Sequence, residues 1–217
     1  MRTRAMSKLL STIAMAAFLV TGASAAYAGV TFSSVAFDSA PSPGEVMVVD
    51  FDHPIAAGYS MTWSGAGLYQ GPLVSGIAAP PAGDSSKYLS VLTGGLATLT
   101  TPGTMNSMSV YLGSIDSYNT IIFKGQNGFS QSFTGTQLDP LANGDQFAGA
   151  TNRRYEFTFN PADLINQVMF SSSGNSFEFD NIAVNDPVAA PEPLTLSLFA
   201  MGVAGLAGLR RRKTVAA

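Results

Sequence analysis

The sequence predicts an all-β protein, a single jelly-roll-like antiparallel β-sandwich between an N-terminal signal peptide and a short C-terminal transmembrane helix. Short apolar or alternating runs recur along the chain, Gly, Pro, Asn and Ser separate them, and no helical stripe is sustained. Regular spacing of such runs is typical of sandwiches and barrels. The candidate strands are residues 30–37, 46–52, 59–64, 87–92, 96–101, 108–113, 120–125, 129–135, 154–160, 167–172 and 176–184.

Alternation is informative in the last candidate strand, residues 176–184. Phe177 and Phe179 share one face, whereas Ile182 lies on the opposite face. The apolar side therefore changes near Asn181, which predicts a β-bulge or the end of pairing there.

Two connections are also distinctive. Residues 65–86 are rich in Gly and Pro and predict a long loop, a place where sandwiches often carry binding surfaces. Residues 160–167 predict a turn with at most one helical turn. Because no internal repeat or second core is found, residues 29–188 are assigned to one domain.

Composition excludes several classes of protein. The chain has no Cys, so it has no disulfide, thiolate nucleophile or Cys-based zinc site. Residues 29–190 hold thirteen acidic and four basic residues, a formal charge of about −9. Such a body argues against nucleic acid as a partner, because nothing in it would neutralise phosphates. It is compatible with solubility outside the cell and with cation binding.

Residues 1–28 have the order of a secretory signal peptide. Basic residues come first, an apolar run covers 9–20, and small residues occupy the two positions that a signal peptidase reads. We predict cleavage after Ala28 and export through the Sec machinery.

The C-terminal segment, residues 189–217, has three parts. Pro191, Glu192 and Pro193 come first, an apolar run covers 194–209, and an Arg-rich end covers 210–213. As a helix the apolar run would span about 24 Å, short of the roughly 30 Å hydrocarbon core of a bilayer. The basic end would stay in the cytoplasm, with the body outside. The segment is marginal as a permanent anchor and adequate as a temporary stop.

This arrangement resembles the PEP-CTERM sorting signal. The resemblance implies a precursor held transiently in the inner membrane of a Gram-negative bacterium and processed by an exosortase that recognises Pro191, Glu192 and Pro193. The mature protein is then expected at the cell surface or in the extracellular matrix, often of a bacterium that makes exopolysaccharide and biofilm.

The body resembles, more narrowly, a subfamily of exosortase-dependent surface proteins with a G-S-x-D-x-Y-N segment. The matching stretches are "KYLSVLTGG" (87–95), "VYLGSIDSYNTIIF" (110–123) and "FEFDNIAV" (177–184). Within this segment Asp116 and Asn119 are suited to cap loop backbone groups, so structural bracing is the first interpretation and ligand binding the second.

Two kinds of binding site are candidates. Calcium needs several hard oxygens, and neighbouring first and last strands would bring together Asp50, Asp52, Glu178, Asp180 and Asn181. No EF-hand loop supports this site, and no other cofactor is indicated. Aromatic rings could stack on sugars, and Trp63 and Tyr69 are candidates for glycan contact, Tyr69 because it lies in the Gly/Pro loop.

Catalytic patterns are sparse. His53, the only histidine, precedes a proline, and no serine elbow accompanies it. Asp50 and Asp52 are predicted on one strand face roughly 7 Å apart, a spacing seen in inverting glycosidases. We therefore expect a non-catalytic surface or matrix protein, glycan-binding or structural. The alternative is a polysaccharide-active hydrolase of the cell surface.

Overall fold

The computed structural model describes residues 29–186. The signal peptide with its cut after Ala28, the sorting motif at 191–193, the apolar run 194–209 and the Arg-rich end lie outside these residues. Within 29–186, no helix has the length and apolar character needed to cross a membrane.

The regular secondary structure of the described residues is almost entirely β-strand, which confirms the predicted all-β class. Its helical parts are one turn of α-helix, α1 (Gly135–Leu138), and a 3-10 turn at Pro161–Asp163. The strands are β1 (Thr31–Ala36), β2 (Val46–Val49), β3 (Ser60–Tyr69), β4 (Tyr88–Thr100), β5 (Ser107–Gly113), β6 (Asn119–Gly125), β7 (Ser130–Thr134), β8 (Arg153–Thr158), β9 (Ile165–Ser172) and β10 (Phe177–Asn185).

All ten strands belong to one antiparallel sheet in the order β1-β8-β5-β10-β4-β9-β6-β7, with β2 added beside β10 and β3 beside β4. Strand β4 belongs to two parts of this sheet. Its first residues pair with β10, and residues 96–100 pair with β9. The sheet turns between these parts at Gly94 and Gly95. A Cβ on Gly95 would collide with the Gly65 carbonyl oxygen of β3, so only glycine permits this close crossing.

The sheet curls until its two ends meet. Phe32 of β1 contacts Phe133 of β7 at 5.2 Å between ring centroids, and the side chain of Gln131 pairs with the backbone of Val30. Nearer the middle, Phe170 of β9 stacks on Phe179 of β10 at 4.1 Å. The apolar core fills the space enclosed by the curled sheet.

Strand β10 lies at the centre of this arrangement. It pairs with β5 along one side, and along the other with β4 and then with β2. The predicted change of face near Asn181 is confirmed, because the register with β5 shifts between Asp180 and Ala183 and Asn181 adopts a φ of 54°.

Three predicted boundaries are wrong. Residues 87–92 and 96–101 form one strand, β4, since the glycines between them bend the strand without ending it. Strand β3 continues through Gly65, which forms a bulge opposite Gly95, so the long loop covers 70–87 rather than 65–86. Strand β2 ends at Val49, because Phe51 adopts a left-handed φ of 55°. The turn predicted within 160–167 is confirmed by the 3-10 helix.

Candidate functional site

The long loop after β3, residues 70–87, lies against the outer side of the sheet and is called here the cover loop. Side chains alternate along β10, so Phe177 and Phe179 point into the core while Glu178 and Asp180 point outward under this loop. Both acidic side chains are nevertheless buried, with 1% and 0% of their surface exposed. The cover loop is therefore what removes these two carboxylates from water.

Glu178 holds the middle of the cover loop by hydrogen bonds. Its carboxylate accepts from the Ala79 backbone N–H at 3.2 Å and from the Ser90 and Ser114 hydroxyls at 3.4 and 3.0 Å. The Ser176 hydroxyl also donates to it. Burial raises the pKa of Glu178, and these donors only partly offset that effect.

The cover loop is fixed at a second point beside β5. Asn152 accepts from the Ala82 backbone N–H at 2.9 Å, and the Tyr111 hydroxyl donates to the Ala82 carbonyl at 2.5 Å. A Cβ on Gly113 would lie 2.6 Å from the Cα of Pro81. Glycine at this position is what lets the loop approach the strand so closely.

The third attachment of the cover loop to the sheet is a serine that contacts two carboxylates, one from the loop and one from β10. The Ser86 hydroxyl lies 2.9 Å from Asp180 Oδ2 and also contacts Asp84 Oδ1. Burial, and after it the charge of Asp84, raises the pKa of Asp180 to about 8, although the Asn181 backbone N–H acts in the opposite direction.

Two adjoining cavities open between the cover loop and residues 144–147, and together they are called here the cleft. The polar cavity, about 120 Å³, is lined by Glu178, Asp116, Ser114, Ser176 and Asn175 among others. The apolar cavity, about 280 Å³, is lined mainly by Leu73, Pro80, Pro81 and Phe147. Both are bounded by Leu73, Ala79 and Gln146, so one wall of the cleft is apolar and the other is polar.

Phe147 is the most exposed large apolar side chain in the described residues, with 84% of its surface in solvent. Leu73, Val74 and Ile77 of the cover loop are also exposed. Exposed apolar side chains gathered around a concave surface commonly mark a binding site.

The G-S-I-D-S-Y-N segment acts as a brace, in agreement with its first interpretation. Asn119 is buried; its Oδ1 accepts from the Asp116 backbone N–H at 2.7 Å, and its amide donates to Ser172 Oγ and to the Ser176 carbonyl, each at 3.1 Å. The Tyr118 hydroxyl lies 2.6 Å from Asp116 Oδ2. Asp116 also borders the cleft, and burial raises the pKa of its carboxyl.

The predicted calcium ligands are divided between two environments. Asp50 and Asp52 lie in a turn after β2, where the Asp50 carboxylate accepts from the His53 N–H at 2.9 Å and contacts the imidazole at 2.6 Å. Glu178 and Asp180 lie under the cover loop. Among residues 29–186, no group of three or more His, Asp or Glu side chains is arranged to hold a metal ion.

The turn after β2 changes two further expectations. Because β2 ends at Val49, Asp50 and Asp52 do not share a strand face as predicted. Burial alone would raise the pKa of Asp50, but hydrogen bonds from His53 hold it below its ordinary value. His53 is 78% exposed, and the hydrogen bond to Asp50 raises the pKa of its imidazole.

The predicted glycan contacts lie on β3. Trp63 is 40% exposed on that strand, whereas Tyr69 is its last residue and is half-buried, with its ring centroid 6.2 Å from that of Tyr88. Neither residue lines the cleft.

Sequence reasoning missed Phe147 and Asp84, which border the cleft. The available signals were weak: Phe147 is the one large aromatic residue between Phe133 and Tyr155, and Asp84 is the only acidic residue in the cover loop. Neither signal indicates which strand lies beneath the cover loop or beside Phe147.

The chain matches no protein-family profile and no curated relative. Among solved structures it is similar to the enzymatically active domain of tailspike protein 4 from bacteriophage CBA120, with 16% identity and a TM-score of 0.31 over 60% of this chain and 19% of that one. It is also similar to the family 11 carbohydrate-binding module of a Clostridium thermocellum cellulosomal cellulase, with 14% identity and a TM-score of 0.25 over 66% of this chain and 95% of the module. The solution structure of CtCBM11 is similar too, with 15% identity and a TM-score of 0.31 over 69% of this chain and 97% of that one.

Proposed function

We propose that this protein is a non-catalytic, exported surface or matrix protein that binds carbohydrate in the cleft. The observation that carries the proposal is the pairing of an exposed aromatic ring, Phe147, with a polar wall across one concave surface. A sugar ring has an apolar face of C–H groups and an edge of hydroxyls, so it needs both kinds of wall.

The polar wall offers suitable partners for hydroxyl groups. Asn175 and Gln146 supply amides, and Asp116 supplies an acceptor. The lining of the two cavities contains no Lys or Arg, while Asp84, Asp116 and Glu178 border them. This electrostatic environment favours a neutral polysaccharide over one rich in uronic acids, whose carboxylates would be repelled.

The route to the cell surface is part of the same proposal. The order of residues 1–28 supports Sec export, and the tripartite segment 189–217 supports transient residence in the inner membrane and exosortase processing at Pro191–Pro193. We interpret the curled sheet as a jelly-roll-like β-sandwich, delivered by this route to the surface or matrix of a Gram-negative bacterium and acting there in exopolysaccharide or biofilm.

A glycan array tests the binding, using the full chain purified in a detergent without a sugar headgroup. We expect binding to neutral polysaccharides and about fivefold weaker binding for Phe147→Ala, since an aromatic contact contributes about 1 kcal/mol. Leu141→Ala is the matched control, because Leu141 is exposed nearby but lines neither cavity. Equal binding by both variants would exclude the cleft as the site.

A polysaccharide-active hydrolase is the second candidate. Its support is that the polar cavity holds Glu178 and Asp116, both with raised pKa, as a general acid requires. A reducing-sugar assay on each array hit distinguishes the two. Binding without turnover supports the first proposal, and turnover that is lost in Asp116→Asn or Glu178→Gln supports the hydrolase.

A further inference from the structure

Three buried polar atoms under the cover loop have no hydrogen-bond partner: Asp84 Oδ2, Asp180 Oδ1 and the Tyr88 hydroxyl oxygen. The residues are close together. Asp180 pairs with Tyr111 of β5 in the sheet, and Tyr88 occupies the neighbouring strand one position before the Leu89–Phe179 pair. Buried polar groups without partners are rare in folded proteins, so three at one place indicate that something fills the space between them.

The two carboxylates share a single donor side chain. The Ser86 hydroxyl contacts both Asp84 Oδ1 and Asp180 Oδ2, yet a hydroxyl has one hydrogen and can donate to only one of them at a time. The Ser86 backbone N–H donates to Asp84 Oδ1 at 2.8 Å. One oxygen of each carboxylate thus contacts Ser86. The other oxygen of each is buried and accepts no hydrogen bond from a donor group, and the two carboxyl groups lie within hydrogen-bonding reach of each other.

The nearby cationic side chains form their direct contacts with other groups, although the charge of Arg154 also acts on Asp180 through space. Arg154 lies beyond Tyr111, where its guanidinium donates to Ser109 Oγ at 3.0 Å and to the Asn181 carbonyl at 2.9 Å. The Lys87 ammonium is paired with Asp52 at 3.8 Å. Neither cation forms an ion pair with Asp84 or Asp180, and two adjacent buried carboxylates are unfavourable when both are ionised without a direct cationic partner.

We propose that Asp84 and Asp180 bind one divalent cation of the calcium type and thereby fasten the cover loop to β10. Hard cations take carboxylate, hydroxyl and carbonyl oxygens, and calcium sites commonly complete their shell with water. Asp180 is completely buried, one of its oxygens has no donor, and its carboxyl group interacts with that of Asp84, so this is a built site rather than a cluster of surface acids.

The proposed site differs from the one predicted from the sequence. Only Asp180 is common to both sites. The Glu178 carboxylate already accepts from the Ala79 backbone N–H and from the Ser114 and Ser176 hydroxyls, and the Asp50 carboxylate is held by the turn that contains His53. The new member, Asp84, comes from the cover loop. Ser86 links it to Asp180, which lies 94 residues after Ser86 in the sequence.

The experiment must distinguish a bound calcium ion from a proton that the two carboxyl groups share. The full chain is stripped with EDTA and melted at pH 9, where protons compete least, with and without millimolar CaCl2. We expect calcium to raise the melting temperature by about 5 °C or more at saturation. Terbium, a calcium mimic, should luminesce when Tyr88 or Tyr111 is excited.

Three variants decide the outcome. Asp180→Asn and Asp84→Asn should lose both the calcium-dependent shift and the terbium signal, whereas Asp50→Asn should keep them. Asparagine has the shape of a protonated aspartate, so Asp180→Asn is expected to fold. No calcium shift in the parent protein, together with a higher melting temperature for Asp180→Asn, would show that a proton occupies the site and would overturn the proposal. A shift lost only in Asp50→Asn would overturn it in favour of the turn after β2.

Discussion

Asn119 carries more of the local structure than any other side chain in the G-S-I-D-S-Y-N segment. Its amide joins this turn both to the end of β9 through Ser172 and to the start of β10 through Ser176. Because the side chain is buried, water cannot replace these partners, so the turn, β9 and β10 depend on one another through a single residue.

Asn119→Ala should therefore lower the free energy of unfolding by about 3 kcal/mol, because it leaves buried groups without partners. Asn127→Ala is the matched control: its amide also bridges two backbone groups, Ala162 and Phe129, but it is exposed. We expect a loss below about 1 kcal/mol there. Urea denaturation of both variants measures the difference, and similar losses would contradict the bracing role.

At the scale of single residues, sequence reasoning succeeded where an interaction is local. The bracing role of Asp116 and Asn119 followed from the chemistry of Asx turns within four residues. Asp84 and Phe147 could not be found in this way, because their significance arises from strands and loops distant in the sequence. Tyr69 was placed in a loop, since the bulge at Gly65 that extends β3 was not recognised.

At the scale of elements, most strands were predicted within a few residues because apolar alternation and turn residues are local signals. The pairing of those strands was not predictable. Strand β10 has β2, β4 and β5 as neighbours, and the expected pairing of the first strand with the last is replaced by β2 with β10 and β1 with β8. The pairing of strands depends on how the whole sheet closes, and this cannot be predicted from any short segment of the sequence.

The C-terminal segment is the element on which the proposed route depends. Deleting Pro191–Pro193 should leave a precursor of higher mass that stays in the membrane fraction, because the exosortase would have no motif to recognise. Immunoblots of membrane and released fractions measure this, with deletion of the terminal residues 214–217 as a control that spares the motif, the apolar run and the Arg-rich end. Normal processing after deletion of the motif would refute the assignment.

At the scale of the whole molecule, the buried carboxyl groups make stability depend on pH. Asp180 has a folded pKa of about 8, well above that of an unfolded aspartate near 3.9, and the pKa values of Glu45, Asp116 and Glu178 are also raised. Between the pKa of the unfolded carboxyl groups and that of the folded ones, the folded state therefore binds more protons than the unfolded state. The stabilisation that these protonated carboxyl groups provide is fully present below about pH 4 and is lost as the pH rises through 8.

In EDTA, the free energy of unfolding should fall by up to about 1.4 kcal/mol per pH unit for each proton that only the folded state retains. Denaturation at several pH values from 5 to 9 measures the slope. Asp180→Asn should reduce it, since the variant has no proton to lose, whereas Asp145→Asn, an exposed control, should leave it unchanged. A stability that rises with pH in EDTA would contradict these assignments.

The central position of β10 has a consequence for the order in which the molecule folds. Its residues are the last of the described strands to be synthesised, yet β2, β4 and β5 all pair with it. A chain that emerges from a translocation pore N-terminus first would expose the unpaired edges of these strands until β10 arrives, and such edges invite aggregation. On the proposed export route, this sheet can therefore close only after β10 has crossed the membrane, and a binding partner that shields the emerging strands would raise the yield of folded protein.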